Sequence, residues 1–435
     1  MVKAIYKFTR EIAIIAMGIV VISLIVQDEY IRVLTSLISF FLFYMVSRQY
    51  EKKYHFVSMA YVYIFIIIYL EFSVIAAYCT KNTISRLNAR GKYGYWSGDY
   101  YLVYFIVTTM VYIFIWFYLK LSNICMSENI YEIKIQAEES KNFTKSCLLV
   151  IGVYILFGVT YDFMIPVIVC VVGKSLYEKR NRFVNITFGV VVLFLLRDIL
   201  LTRYQFIQCM LPILFMVFTF SFASKKKVSI VKINILFLVG ILAIGLYGIV
   251  SEIYKLNTYW NGNYDLKTVL LSIESTKDFL MKQFYRIFAI WIKLGGYIIG
   301  HVNIKGYYYG LTYIKSLSGI FEFDYISLPL ITAVYDKAHY AQPGLLAEGY
   351  ANFGIIGAVI NICIVFIFID FFDRKYCKNP SFINFLYATV PFTKIILDGG
   401  TLNSAIYLLV VCVVINIFNI MQKLKWNGWK IWITT

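Results

Sequence analysis

Charge is what this chain of 435 residues has least of: Asp, Glu, Lys and Arg make up 15% of it, and hydrophobic residues 60%. Soluble globular proteins carry about a quarter charged residues. The balance lies outside the soluble range, and a polytopic integral membrane protein is expected. Marks of several chemistries are also missing: there is no Walker loop, GxSxG or haem motif. No DxD or carboxylate cluster suggests a metal site, and His55, His301 and His339 are too dispersed for zinc. Neither a metal nor another cofactor is expected. The eight cysteines contain no CxxC and lie mostly in apolar runs, which suits small buried hydrophobes. No internal repeat, low-complexity tract, heptad run or soluble domain is visible. Without barrel-type alternation, an all-α fold follows.

Aromatic residues are abundant, with 38 Tyr and 36 Phe, and such rings favour membrane interfaces and helix packing. The formal net charge is +17, but the basic residues sit in short clusters between apolar runs. They read as topology signals, and no nucleic-acid partner is expected. The basic start, MVKAIYKFTR, precedes an apolar run without a small-residue cleavage site, as in a retained signal anchor.

Spans are expected at 11–26, 31–46, 55–79 and 100–119, with the basic SRQYEKKYH after the second marking the cytoplasmic side. Residues 121–141 read as a cytoplasmic surface helix. The apolar block 147–172 is flanked on both sides by cytoplasmic-looking residues. Either it is a tight pair of short helices turning near Asp162 and Pro166, or a neighbouring loop assignment is wrong. Further spans are expected at 183–196, 204–223, 228–250, after Gly344, 382–397 and 405–422. The count is about twelve with the hairpin and eleven without it. Both termini are then cytoplasmic. The whole chain, 1–435, forms one transmembrane domain, within which 251–343 is a large external loop.

Within that loop, 278–300 places Phe284, Ile287, Phe288 and Trp291 on one helical stripe, apart from Lys282, Arg286 and Lys293. That pattern predicts a helix lying in the interface or dipping into the membrane. The next stretch, GYYYGLTYIKSLSGIFEFDYISLP, punctuates aromatic clusters with glycines. Tyr307, Tyr308 and their neighbours suit either sugar stacking or interfacial anchoring.

Arg197, Arg203 and Arg286 fall on the external side. Arg197 has Asp198 beside it, whereas Arg203 has no carboxylate close in sequence on its C-terminal side. A guanidinium next to lipid is usually paired or bound to an anion, so a ligand phosphate and simple snorkelling are the two readings. A lipid-borne diphosphate would need two or more such cations. His339 could accept a proton from a sugar hydroxyl. Glu348 could act as that base, orient an arginine, or complement the macrodipole at a helix start.

The remaining stretch, 333–370, sets turn-forming polar residues before Glu348 and Asn352 and then an apolar run to Asp370. A helix starting near Pro343 would put Glu348 and Asn352 on one face. Gly354 and Gly357 would let a neighbouring helix approach. The string PGLLAEGYANFGIIG, from Pro343 to Gly357, resembles the hallmark of the Wzy-type O-antigen and oligosaccharide repeat-unit polymerases. The resemblance is dense over this stretch and architectural elsewhere.

That resemblance implies a GT-C-like multispanning glycosyltransferase on the outer face of the bacterial inner membrane. Such an enzyme moves a growing glycan from undecaprenyl diphosphate to a sugar hydroxyl of an incoming lipid-linked repeat unit. It works beside a chain-length regulator and a flippase. It places diphosphate-binding arginines at Arg203 and Arg286. Family arginines often follow Gly-Ser whereas Arg203 follows Leu201 and Thr202, which leaves Arg197 a rival. It also puts the late proline, acidic residue and NFG at Pro343, Glu348, Asn352, Phe353 and Gly354. On the reading of the residues themselves, His339 or Glu348 is expected as the base that deprotonates the acceptor hydroxyl, and Tyr307, Tyr308 and Asn352 as substrate contacts. A flippase of the same lipid-linked unit and an O-antigen ligase are the alternatives. A flippase should carry cations in mid-span and related halves, neither of which is visible here. The ligase shares the helical layout.

Overall fold

The computed structural model describes residues 30–53, 98–121, 290–314, 324–328, 330–331 and 343–378, with isolated positions between 11 and 25 and between 383 and 421. Among the described residues all regular structure is helical and no strand occurs. Four helices are continuous: α1 (Tyr30–Lys53), α2 (Gly98–Leu121), α3 (Ile290–Lys305) and α4 (Leu345–Lys378). Among the described residues two segments are long and apolar enough to cross a membrane, Leu102–Leu121 with 20 residues and Leu345–Phe372 with 28.

The chain divides into two compact units. One comprises Met1–Glu128, Ser275–Phe371 and Lys394–Ala405, and the other Asn129–Glu274, Phe372–Thr393 and Ile406–Thr435. In the latter, the Phe372 ring stacks on Tyr387 with centroids 5.4 Å apart, and the Lys375 ammonium lies over the same Tyr387 ring.

In the first unit α1 and α2 pack on each other, with the buried Phe43 and Tyr112 rings 6.4 Å apart. In α2, Val107, Val111, Tyr112, Ile115 and Leu119 are buried while Leu102, Met110, Ile113, Phe117 and Leu121 are exposed. A helix as apolar on its open face as on its packed one is suited to lipid rather than water. The C-terminal ends of both helices carry a cation over an aromatic ring one turn earlier: Arg48 over Tyr44 and Lys120 over Trp116. The stems of such side chains cover apolar surface while the charge reaches outward.

The amphipathic stripe expected over 278–300 lies outside the residues whose side chains are described, and α3 covers only its last part. Within α3, Leu294, Gly295, Gly296, Tyr297, Ile298 and Ile299 are all buried in succession, so this part of the helix is enclosed by protein, while Asn303, Ile304 and Lys305 are exposed. Gly295 makes that possible. A methyl group there would collide with the Tyr104 hydroxyl and press on Ala347 and the Pro343 carbonyl, so glycine lets α2, α3 and the start of α4 meet without displacing that hydroxyl. The helix also runs five residues past Gly300, to Lys305. It stops at Gly306, whose φ of +94° is the left-handed cap conformation and whose N–H donates to the Val302 carbonyl at 2.7 Å.

α4 is broken. Phe353 (φ −144°, ψ 24°) and Gly354 (φ 65°, ψ −150°) interrupt it, separating 345–352 from 355–378. The two segments then fold against each other. Gly349 and Gly357 lie face to face so closely that a methyl on either would overlap the other's backbone carbonyl. The glycines expected to admit a neighbouring helix are therefore used differently: Gly357 admits the chain's own preceding turn, and Gly354 makes the bend. At Gly354 a side chain would face both a left-handed backbone and the Tyr307 hydroxyl, 3.0 Å from where its Cβ would sit.

The segment 355–371 runs parallel to α2. Near one end Tyr104 meets Gly295, which also abuts Pro343 and Ala347, and near the other the Tyr118 hydroxyl donates to Asp370 Oδ2 at 2.5 Å. Phe366 packs edge-on against the Tyr118 ring between these points. Asp370 is fully buried, so this bond meets part of its desolvation cost.

Candidate functional site

A helix that stops after eight residues leaves its last carbonyls without partners. Here the turn after α3 supplies them. Tyr308 donates its backbone N–H to the Ala351 carbonyl at 2.9 Å, and Tyr309 donates to the Asn352 carbonyl at 3.3 Å. Next in line, the Gly310 N–H donates to Asn352 Oδ1 at 2.8 Å. Three successive amides of the tyrosine-rich turn are thus committed to the end of the half-helix.

Asn352 is the hub of this junction and has no exposed surface. Besides accepting from Gly310, its Nδ2 donates to Thr312 Oγ1 at 2.6 Å and to the Glu348 carbonyl at 2.8 Å. Both amide hydrogens and the side-chain oxygen are therefore used, which is what makes a buried asparagine tolerable. A second buried amide, Asn361, does the same from the other side of the break. Its Nδ2 donates to the Leu345 carbonyl at 3.1 Å and to Glu348 Oε2 at 3.3 Å, while its Oδ1 accepts from the Tyr313 hydroxyl at 3.0 Å.

Glu348 sits between them, 1% exposed and in the first turn of α4, where a carboxylate complements the helix macrodipole. Its Oε2 also accepts from the Leu402 backbone N–H at 2.5 Å, tying a distant part of the chain to the half-helix. Glu348 is thus placed as the fastening of three segments and does not lie open to a substrate hydroxyl. Glu348 and Asn352 do share a face, as the spacing predicts, and that face points into the protein.

Tyr313 is held protonated by its surroundings. Burial raises its pKa most, the negative charge of Glu348 adds to this, and a hydrogen bond with Asn352 partly opposes both. His301 moves the other way. Burial lowers its pKa first and the Lys305 charge second, so the imidazole near the Tyr308 ring is kept neutral.

Above the hub lies a group of rings. Tyr307 contacts Tyr350 and Tyr309 edge-on, with centroids 6.2 and 6.5 Å apart, and Tyr309 meets Phe353 at 6.5 Å. Tyr309 has φ of +49°, unusual for a bulky residue and costing roughly 1–3 kcal/mol that its surroundings must offset. The two tyrosines expected to touch substrate are placed differently. Tyr307 is exposed, while Tyr308 packs against the buried cluster of Ile298, Val302, Leu328, Ala347 and Ala351. Tyr309 and Phe353 are the more open rings.

Of the remaining expected site residues, His339, Arg197, Arg203 and Arg286 lie outside the described residues. Among the described residues no group of three or more His, Cys, Asp or Glu side chains is placed to hold a metal ion. Thr312, Tyr313 and Asn361 were not singled out by spacing. Asn361 had a signal nonetheless, as the single amide in the apolar run 354–369.

A family model described as a family of unknown function, DUF6032, matches residues 1–431. The chain belongs to this family. No curated protein and no solved structure matches the chain. The site stretch, 343–357, and its partners at 303–313 and 402 all fall within the family match.

Proposed function

We propose that this protein is a multispanning membrane glycosyltransferase of about eleven or twelve helices, GT-C-like in layout, that polymerises undecaprenyl-diphosphate-linked repeat units into a surface polysaccharide. The observation that carries the reading is a coincidence of position. The stretch resembling the Wzy-type hallmark, Pro343 to Gly357, is also where an apolar helix breaks and gathers Glu348, Asn352 and Asn361 into a buried polar junction. Broken helices and buried polar groups at membrane depth are seldom maintained without a substrate-handling role.

The orientation of the helices is consistent with it. α2 and 355–371 run in the same direction, and each has basic residues at or just after its end in sequence, Lys120 for the first and Arg374 and Lys375 for the second, as spans entering the cytoplasm should. The break and its aromatic turn then lie on the outer side, where lipid-linked repeat units are polymerised.

In the proposed reaction a hydroxyl oxygen of the incoming unit attacks the anomeric carbon of the growing glycan. The carbon–oxygen bond to the lipid diphosphate breaks, and the hydroxyl proton passes to a base. His339 is the better candidate for that base, because Glu348 is enclosed and engaged with Leu402 and Asn361. Charge developing on the departing diphosphate is the largest quantity to stabilise, and Arg203 and Arg286 are assigned to it, with Arg197 as the rival.

The test is incubation of the purified protein with synthetic lipid-diphosphate repeat units, without nucleotide sugar, scored for a ladder of products. Arg203→Ala and Arg286→Ala should abolish the ladder while leaving the protein in the membrane. Ladders of ordinary length in both variants would remove the arginines from the mechanism. Absence of any ladder with wild-type protein, together with transfer to a lipid A core, would make it a ligase.

A further inference from the structure

We propose that Tyr309 and Phe353 form a stacking platform for a pyranose ring of the glycan this protein handles. The proposal rests on the glycosyltransferase reading and adds to it a specific contact for the sugar.

Tyr309 is 75% exposed and Phe353 50%, and the two rings buttress each other at an interplanar angle of 68°. Their exposure is built rather than incidental. Tyr309 is forced into a left-handed backbone conformation by a turn whose amides at 308, 309 and 310 are all bonded to Ala351 and Asn352. A ring serving only to fill apolar surface would not require such a posture, and strain of this kind is retained where a side chain must be presented.

The same patch has a polar rim. Asn303 is exposed, and its Oδ1 accepts from the Tyr350 hydroxyl at 3.0 Å, with the Tyr350 ring next to Tyr307. No hydrogen bond to the Asn303 amide nitrogen is present among the described residues. A pyranose offers one weakly apolar C–H face and a rim of hydroxyls, so aromatic surface bordered by an amide complements it. Phe353 also stands at the top of an open aliphatic stripe made by Ile356, Ile360 and Ile367. Acyl chains against that stripe would put the first sugars of a lipid-linked glycan level with the two rings.

The measurement is saturation-transfer NMR on the full-length protein in nanodiscs, with a panel of free hexose and N-acetylhexosamine tri- and tetrasaccharides that carry no lipid. Transfer to ring C–H protons is expected with wild type. Affinity should fall about tenfold in Tyr309→Ala and in Phe353→Ala, and stay within about twofold in Tyr309→Phe. Should Tyr309→Ala fail to fold, Phe353→Ala decides, because that side chain stands outside the hydrogen-bonded turn.

No binding of any saccharide by wild type, or equal affinity in folded alanine variants, would overturn the platform. Unchanged sugar binding in the alanine variants together with lowered thermal stability in the nanodisc would make the rings lipid anchors, which also overturns it. The two readings fail separately. Tyr309-dependent saccharide binding without ladder synthesis would retain the platform and discard the polymerase, and ladder synthesis without it would do the reverse.

Discussion

Asn361 and Glu348 are joined across the break in α4 by a 3.3 Å hydrogen bond from amide to carboxylate. This contact helps to close a helical hairpin: Asn361 lies on the long arm, Glu348 on the short one, and the bend at Phe353 and Gly354 lies between them. The same amide also serves the Leu345 carbonyl and the Tyr313 hydroxyl, so it links both arms to the turn after α3.

Asn361→Leu should accordingly do more harm than its size suggests. It leaves the Tyr313 hydroxyl without its Asn361 acceptor and removes the amide's bonds to the Leu345 carbonyl and Glu348, at a cost of roughly 1–3 kcal/mol. Thermal unfolding in detergent should show a clear drop in midpoint. A shift no larger than that of an exposed change such as Ile360→Leu would mean the amide does not hold the hairpin.

Gly349 and Gly357 give a steric prediction. Alanine at either position would put a methyl into the facing backbone, which cannot swing aside as a side chain can, so the arms must separate. Size-exclusion profiles of Gly349→Ala and Gly357→Ala should show mostly aggregated protein. Gly18→Ala, where nothing stands within 4 Å, is the matched control and should elute as wild type.

Why the hairpin was hidden in the sequence follows from these residues. Hydropathy reads Leu345–Phe372 as one apolar segment, because a bend made by a single glycine and a polar contact made by a single asparagine barely change its average. The start after Pro343, the shared face of Glu348 and Asn352 and the apolar character of α2 are local properties and were legible. Enclosure of α3 was not, since it depends on Tyr104, Pro343 and Ala347 arriving from elsewhere in the chain. Likewise Tyr307, Tyr308 and Tyr309 are indistinguishable by type, and only the turn geometry faces Tyr308 to the core and Tyr309 outward.

Glu348→Gln and Glu348→Ala should separate geometry from charge. Glutamine retains an oxygen that can accept from the Leu402 N–H, whereas alanine leaves that amide and Asn361 without it. On the proposed polymerase reading, if Glu348 fastens the segments and does not act as base, glutamine should keep most polysaccharide synthesis and alanine should lose it. Equal loss in both, in protein that remains folded, would return the carboxylate to the role of proton acceptor.

The two titrating groups at the turn predict opposite limbs of a stability–pH profile. Tyr313 has its pKa raised, by burial first and Glu348 second, so the unfolded chain releases this proton before the folded one. Stability from Tyr313 is present below about pH 10, the ordinary phenol value, and is lost as pH rises above it. His301 has its pKa lowered, by burial first and Lys305 second, so the unfolded chain takes up its proton first as pH falls. Its contribution is present above about pH 6.5 and declines below that value. Unfolding midpoints measured from pH 5 to 11 should therefore fall at both ends. Tyr313→Phe should flatten the alkaline limb and leave the acid one, and His301→Gln should do the converse. An alkaline limb unchanged in Tyr313→Phe would assign it to other phenols of this tyrosine-rich chain.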